Sequence, residues 1–249
     1  MSVPGNESRV ALVTGAGSGI GRATALALAD TGFRIAIADR DMTGAEATRA
    51  MIAERGRTAA TFQVDVLDEA SVAAMVAGVI ETFGRLDAAV NNAGIGGPRK
   101  LLHELGAEDW DLVTGINLRG TFLCMKYEVP HMLARGDASI VNIASELGVV
   151  GSASMSAYVA SKHGVVGLSR AGALDYGGKI RVNAVCPGAV HTPMVVGLGY
   201  DTVAMAASYP IGRLGQPEEI ASAVVWLCSP GASFATGGTF VIDGGSSIT

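Results

Sequence analysis

Seven short apolar stretches punctuate the chain: RVALVTG (9–15), FRIAIAD (33–39), TAATFQVD (58–65), LDAAVNNAG (86–94), ASIVNIAS (138–145), IRVNAVCPG (180–188) and GTFVIDGG (238–245). They are strand-length and mostly lack polar alternation, which predicts strands buried on both faces. Between them, segments with helical spacing fall at 19–31, 42–55, 68–83, 108–135, 154–176 and 217–229, several opening on Asp or Ser, residues that cap helix starts. Buried strands separated by helices predict a doubly wound α/β fold, a seven-stranded parallel sheet with helices on both faces and right-handed crossovers. No repeat, low-complexity tract or Pro/Ser-rich linker intervenes, so residues 1–249 read as a single domain. Only HTPMVVGLGYDTVAMAASYP (191–210) breaks the alternation, and it is predicted to be a movable substrate loop over a site.

Composition narrows the function. The 249 residues are 49% hydrophobic and 16% charged, in keeping with one compact core. A net charge of -5 without like-charge blocks gives no electrostatic footprint for nucleic acid or an anionic membrane, so small-molecule chemistry is expected. Cys124, Cys186 and Cys228 lie far apart in apolar contexts and read as buried free thiols, as in a reducing cytosol. The start of the chain has no leader pattern, and no apolar run reaches the roughly 18 residues of a membrane span, so a cytoplasmic protein without a membrane segment is expected. His103, His131, His163 and His191 show no metal-ligand spacing, and no metal is expected.

The glycines of TGAGSGIG (14–21) fall between the first strand and the first helix, where Gly15, Gly19 and Gly21 allow a sharp turn that brings backbone N–H groups to a phosphate. Asp39 ends the second strand, 18 residues after Gly21. An acid there accepts hydrogen bonds from both adenosine ribose hydroxyls and repels a 2′-phosphate, which favours NAD over NADP; a helix cap is the alternative role. Arg40 beside it stacks on adenine or, arranged differently, pairs with a phosphate. In YVASK (158–162), Tyr158 and Lys162 are neighbours on one helix face, and an ammonium favours the phenolate, so the phenol can exchange a proton with a substrate oxygen. Read alone, the pair is equally a solvated face. Ser145 ends the fifth strand on the edge where open sheets bind ligands, either donating to the same oxygen or capping a turn. NNAG (91–94) ends the fourth strand, with Ala93 and Gly94 small enough for close approach of a cofactor.

Together TGAGSGIG, NNAG, NLRG (117–120), Ser145, YVASK and VNAVCPG (182–188), with 13 residues from Ser145 to Tyr158, resemble the short-chain dehydrogenase/reductase family over nearly the whole chain. The resemblance implies a Rossmann fold, with Tyr158 as general acid/base, Ser145 orienting substrate, Lys162 lowering the Tyr pKa and binding the nicotinamide ribose, and Asn117 completing a water-linked relay. It also implies that Ser18 and Ile20 join the glycine turn in holding cofactor, that Asp65 and Val66 meet adenine, and that Asn91 to Gly94 line the adenosine ribose side. Pro187, Gly188, Val190 and Thr192 would hold the nicotinamide end, Thr192 through its carboxamide. The implied reaction is hydride transfer between NAD and a secondary alcohol or ketone. The family's usual association is a homotetramer. An NADPH-dependent 3-oxoacyl-[acyl-carrier-protein] reductase shares these motifs, but Asp39 opposes a 2′-phosphate; a non-catalytic NAD-binding protein has no need of the full catalytic set.

For the substrate, 95–101, 146–155 and 191–210 are the expected pocket walls. They are apolar and lack a basic cluster, which favours a hydrophobic or cyclic secondary alcohol over a phosphorylated sugar. Glu146 departs from the small residue usual there in the family and is expected to face solvent, the other reading being contact with a polar substrate group.

Overall fold

The computed structural model describes residues 9–197 and 201–248. Seven strands, β1 (Val10–Thr14), β2 (Arg34–Asp39), β3 (Ala59–Gln63), β4 (Ala88–Asn91), β5 (Ala138–Ile143), β6 (Ile180–Pro187) and β7 (Thr239–Ile242), form one sheet of order β3-β2-β1-β4-β5-β6-β7. Every pairing is parallel, for example Val10 with Arg34 and Ala88 with Ser139. This is the expected doubly wound sheet, with strands shorter than the apolar stretches because each stretch runs on into the turn that follows it.

Strand side chains alternate between two faces, and both faces are covered. Ala11, Val13, Ile35 and Ile37 pack with α1 (Gly19–Asp30), α2 (Met42–Glu54) and α9 (Pro217–Leu227). Val10, Leu12, Ala36 and Ala38 pack on the opposite side with α3 (Glu69–Phe83) and α5 (Gly120–Leu133). The helix starts follow their local chemistry: Asp41 accepts a hydrogen bond from the Thr43 N–H at 3.0 Å and Asp68 one from the Ala70 N–H at 3.0 Å, each taking up an N–H that the helix leaves unpaired.

The helix expected over 108–135 runs without a break as α4 (Ala107–Thr114), a π-helical turn at Gly115–Arg119, and α5. Such a turn inserts a residue into the ladder without breaking the apolar face, so periodicity does not register it. The stretch 191–210, expected as a loop, contains α7 (Pro193–Gly197) and α8 (Thr202–Ala207), the latter capped by Asp201 through the N–H groups of Val203 and Ala204; residues 198–200 lie outside the described residues. Elements of 5 and 6 residues are too short to display a helical period. Among the described residues no helix is long and apolar enough to cross a membrane, and Cys124, Cys186 and Cys228 are buried free thiols.

Candidate active site

After β1 the chain turns through Gly15 (φ 64°) and Gly19 (φ 51°), left-handed conformations that only glycine adopts without strain. Gly21 is required by space instead: a Cβ there would stand 2.1 Å from the Gly15 carbonyl oxygen. Ser18 precedes α1 with extended backbone and makes no side-chain cap, so the first-turn N–H groups and the positive end of the helix dipole are left for an anion. Gly15, Ser18, Gly19 and Ile20 line a cavity of about 270 Å³ together with Asp39, Arg40, Asp65, Val66, Ala93, Gly94 and Thr192.

The acid at the end of β2 is pinned there. Asp39 Oδ2 accepts from the Gly17 N–H at 2.7 Å and Oδ1 from the Asp41 N–H at 2.9 Å, so it ties the glycine turn to the approach to α2 while Asp41 does the capping. A carboxylate accepts about four hydrogen bonds, which leaves capacity toward the cavity. Asp65 and Thr192 also serve their own turns: Asp65 accepts from the Leu67 N–H at 3.0 Å, and the Thr192 hydroxyl donates to the Val190 carbonyl at 3.2 Å.

Asn91 is a correction. Its side chain is not in this cleft but in the core, where Nδ2 donates to Glu128 at 3.2 Å and to Asn142 at 3.0 Å. Asn92 lines the cavity instead and braces the glycine turn, donating to the carbonyls of Thr14 at 2.9 Å and Gly15 at 3.1 Å. Strand alternation carried this signal: residue 91 shares the α5-facing side with Ala89, and residue 92 does not.

A narrower cavity of about 110 Å³ shares Ile20, Gly94 and Thr192 with the first and brings together Ser145, Tyr158, Lys162, Pro187, Gly188 and Val190. Tyr158 and Lys162 come from α6 (Ser156–Tyr176), and Nζ lies 5.6 Å from the Tyr158 ring centre. Nζ donates to the Ile143 carbonyl at 2.9 Å, and burial pulls the Lys162 pKa down to about 8. Ser145 caps the short 3₁₀ turn Glu146–Gly148 by accepting from the Leu147 N–H at 3.1 Å; accepting leaves its own proton to donate. The turn-capping role is the one its hydrogen bonds show.

Asn117 lies in the π turn and does not line these cavities. Its amide clamps the Ile95 backbone in both directions, Oδ1 accepting from N–H at 2.8 Å and Nδ2 donating to the carbonyl at 2.9 Å. A Cβ on Gly94 would meet Asn117 Oδ1 at 3.1 Å and Lys162 Nζ at 3.5 Å, so both side chains crowd that glycine.

Ser145, Tyr158 and Gly188 also border a third cavity of about 480 Å³. Leu147, Val150, Met155, Met194, Val195 and Met205 give it an apolar character, and each expected wall segment contributes. Ser246 and Ser247 line it too, from a C-terminal segment whose sequence carries no chemical motif. Glu146 is a second correction: it does not face solvent but lines this cavity, half-buried. Its Oε1 accepts from the Tyr209 hydroxyl at 2.9 Å, and that hydroxyl accepts from the Ala189 N–H at 2.8 Å. Burial pushes the Glu146 carboxyl above its usual range, and burial, chiefly, pushes Tyr209 up to about 12. A buried phenol offered an acceptor across the cavity wall draws the carboxylate inward.

A family model described as enoyl-(acyl carrier protein) reductase matches residues 15–247. Cyclohexanol dehydrogenase of Acinetobacter sp. (strain SE19) is 44% identical over 238 residues, 95% of this chain and 94% of that protein. Cis-4-hydroxycyclohexanecarboxylate dehydrogenase of Sinomonas cyclohexanicum is 47% identical over 239 residues, 95% of this chain and 96% of that protein. The crystal structure of levodione reductase superimposes with a TM-score of 0.94 at 40% identity, covering 97% of this chain and 98% of that one.

Proposed function

The chain belongs to the short-chain dehydrogenase/reductase family and acts on CH–OH groups, and from that premise we propose that it transfers a hydride between NAD and a cyclic, largely hydrophobic secondary alcohol. The observation that carries this reading is the meeting of Ser145, Tyr158 and Lys162 in one cavity that borders both the glycine-turn cleft and an apolar pocket. The relatives, a cyclohexanol dehydrogenase and a hydroxycyclohexanecarboxylate dehydrogenase, support a ring substrate.

The glycine turn and the start of α1 hold the pyrophosphate, and Asp39 accepts from the adenosine ribose hydroxyls. Thr192, Pro187, Gly188 and Val190 enclose the nicotinamide end. When bound, the nicotinamide supplies or accepts the hydride. In oxidation, Tyr158 as phenolate takes the carbinol proton, and in reduction it returns it. The Ser145 hydroxyl donates to the same substrate oxygen and holds the carbinol carbon in place. Lys162, when protonated, stabilises the phenolate and bonds the nicotinamide ribose. The proton path runs outward from Lys162 toward Asn117, whose grip on Ile95 keeps the two groups beside Gly94.

Asp39 also selects between cofactors, since a 2′-phosphate beside a carboxylate pays Coulomb repulsion. Titration with NADH and NADPH tests this, and tighter NADPH binding overturns the NAD assignment in favour of a reductase of the acyl-thioester type. Turnover followed by NADH absorbance on cyclic alcohols and ketones tests the reaction; cofactor binding with no turnover across that panel overturns it. We also propose that the chain assembles as a homotetramer: Trp110, Leu112 and Phe122 on α4 and α5 are 39%, 46% and 47% exposed, and burying them against a copy recovers apolar area. Light scattering that returns a monomer mass overturns this.

A further inference from the structure

Among the described residues that line the substrate cavity there is one carboxylate, and nothing in the proposed hydride transfer uses it. Glu146 follows the substrate-orienting Ser145 directly, and the two share the cavity with Tyr158. Tyr209 donates one hydrogen bond to Oε1, at 2.9 Å, while its oxygen accepts from the Ala189 N–H, and the Ser246 hydroxyl also bonds this pair. Glu146 Oε2 is buried and has no hydrogen-bond partner. One oxygen of this half-buried carboxyl is thus left without a donor in a wall that mixes Leu, Val and Met with serines, and a buried acceptor without a donor is costly.

We propose that Glu146 is a specificity-determining residue that accepts a hydrogen bond from a second hydroxyl on the substrate, so that the pocket selects cyclic diols over ring alcohols with a single oxygen. The inference rests on the proposed oxidation of cyclic secondary alcohols and names the substrate class within it. Hydrogen-bond polarity makes the choice. A carboxylate accepts from a hydroxyl, gains nothing from a ring carbonyl, and repels a substrate carboxylate. Arg99, exposed at the same cavity, is the one cation among the described residues that line it.

The test compares kcat/KM with NAD for cyclohexanol, the cis and trans isomers of cyclohexane-1,2-diol and cyclohexane-1,4-diol, and 4-hydroxycyclohexanecarboxylate, in the wild type, Glu146→Gln and Glu146→Leu. A hydrogen bond to a charged group predicts that at least one diol exceeds cyclohexanol by about tenfold or more in the wild type. Glu146→Leu brings that ratio to near one, the diol losing about tenfold more kcat/KM than cyclohexanol does. Glu146→Gln, which keeps an acceptor for Tyr209 and so guards against misfolding, retains part of the preference. Cyclohexanol turnover with no diol preference in the wild type, a preference that survives Glu146→Leu, or the carboxylate exceeding every diol overturns the role of Glu146 and leaves the dehydrogenase reading intact. Cofactor binding with no turnover of any of these alcohols overturns both.

Discussion

The two sides of the cleft are made from different kinds of chain. On the glycine-turn side, the lining atoms come from strand ends and from backbone. Gly15 and Gly19 are in left-handed conformations, Gly21 is closed against the Gly15 carbonyl, and Asp39 is held by two N–H groups within 2.9 Å. On the substrate side, side chains arrive from 147–155, 194–195, 205–209 and 246–247, and one file of hydrogen bonds links Glu146, Tyr209 and Ala189. The first side is over-determined by the sheet, and a change there strains backbone. The second is set by side-chain choice, so its substitutions alter what binds. Chemistry sits at the seam, where Ser145 borders both cavities and Lys162 is anchored to the Ile143 carbonyl.

The sharpest separation of the two sides is Tyr158→Phe. Removal of a general acid/base lowers kcat by about 10³-fold. NADH affinity, measured by fluorescence titration, is expected to stay within about threefold, because loss of one peripheral hydroxyl costs well under 1 kcal/mol. Comparable losses in both measurements would mean that the seam is not separable from the cofactor side.

Next in size is a buried acid on the far side of β4. Glu128 is fully buried, and burial pushes its carboxyl from 4.5 up to about 7. Glu128 Oε1 and Asn91 Oδ1 both lack a donor. A carboxyl raised on folding contributes stability that is complete at low pH and declines as pH rises from about 4.5 to about 7. The loss is of order 3 kcal/mol above that window. Glu128→Gln supplies an uncharged side chain with donors of its own. Its Tm at pH 8 is expected to exceed the wild type's by up to about 6 °C, with the difference vanishing near pH 5. Thermal melts from pH 5 to 8 decide this, and parallel profiles would remove Glu128 as the titrating group.

These two residues also mark how far the chain could be read without coordinates. Tyr158 was legible because its partner is one helical turn away and its Ser lies at a strand end, so local periodicity places all three. The parallel, doubly wound sheet followed from unbroken apolar strands separated by helices. Asn91 and Asn92 were not separated, because NNAG read as a unit hides the alternation that sends one side chain into the core and the next to the cleft. Glu146 was misplaced for a deeper reason: what draws it inward is Tyr209, 63 residues away, and no period links them. Ser246 and Ser247 belong to the same class, as pocket residues defined only by tertiary contact.

On the glycine-turn side, Gly21→Ala places a methyl group about where the Gly15 carbonyl oxygen stands. Overpacking of this kind costs about 1–3 kcal/mol, and here the backbone that shifts is the turn proposed to hold the cofactor's phosphates. The Kd for NADH is expected to rise by about 10- to 100-fold with the substrate preference order unchanged. Calorimetric titration gives the first and the alcohol panel the second. A changed order of preference would show that the two sides are mechanically coupled, contrary to the contrast drawn between them.

The smallest of these effects probes a charge within the rigid side. Asp39→Ala removes the acceptor of the Gly17 and Asp41 N–H groups as well as the carboxylate proposed to meet the ribose. For NAD the two losses add, and the Kd is expected to weaken by about tenfold. For NADP the lost bracing is offset by relief of repulsion toward the 2′-phosphate, so its affinity stays level or improves. Asp39→Asn discriminates between the two contributions. It keeps an oxygen to accept from Gly17 but has no charge, and it is expected to recover most of the NAD affinity while narrowing the gap to NADP. If Asn and Ala behave alike toward both cofactors, charge rather than bracing governs this wall; if Asn matches the wild type toward both, bracing is its whole contribution.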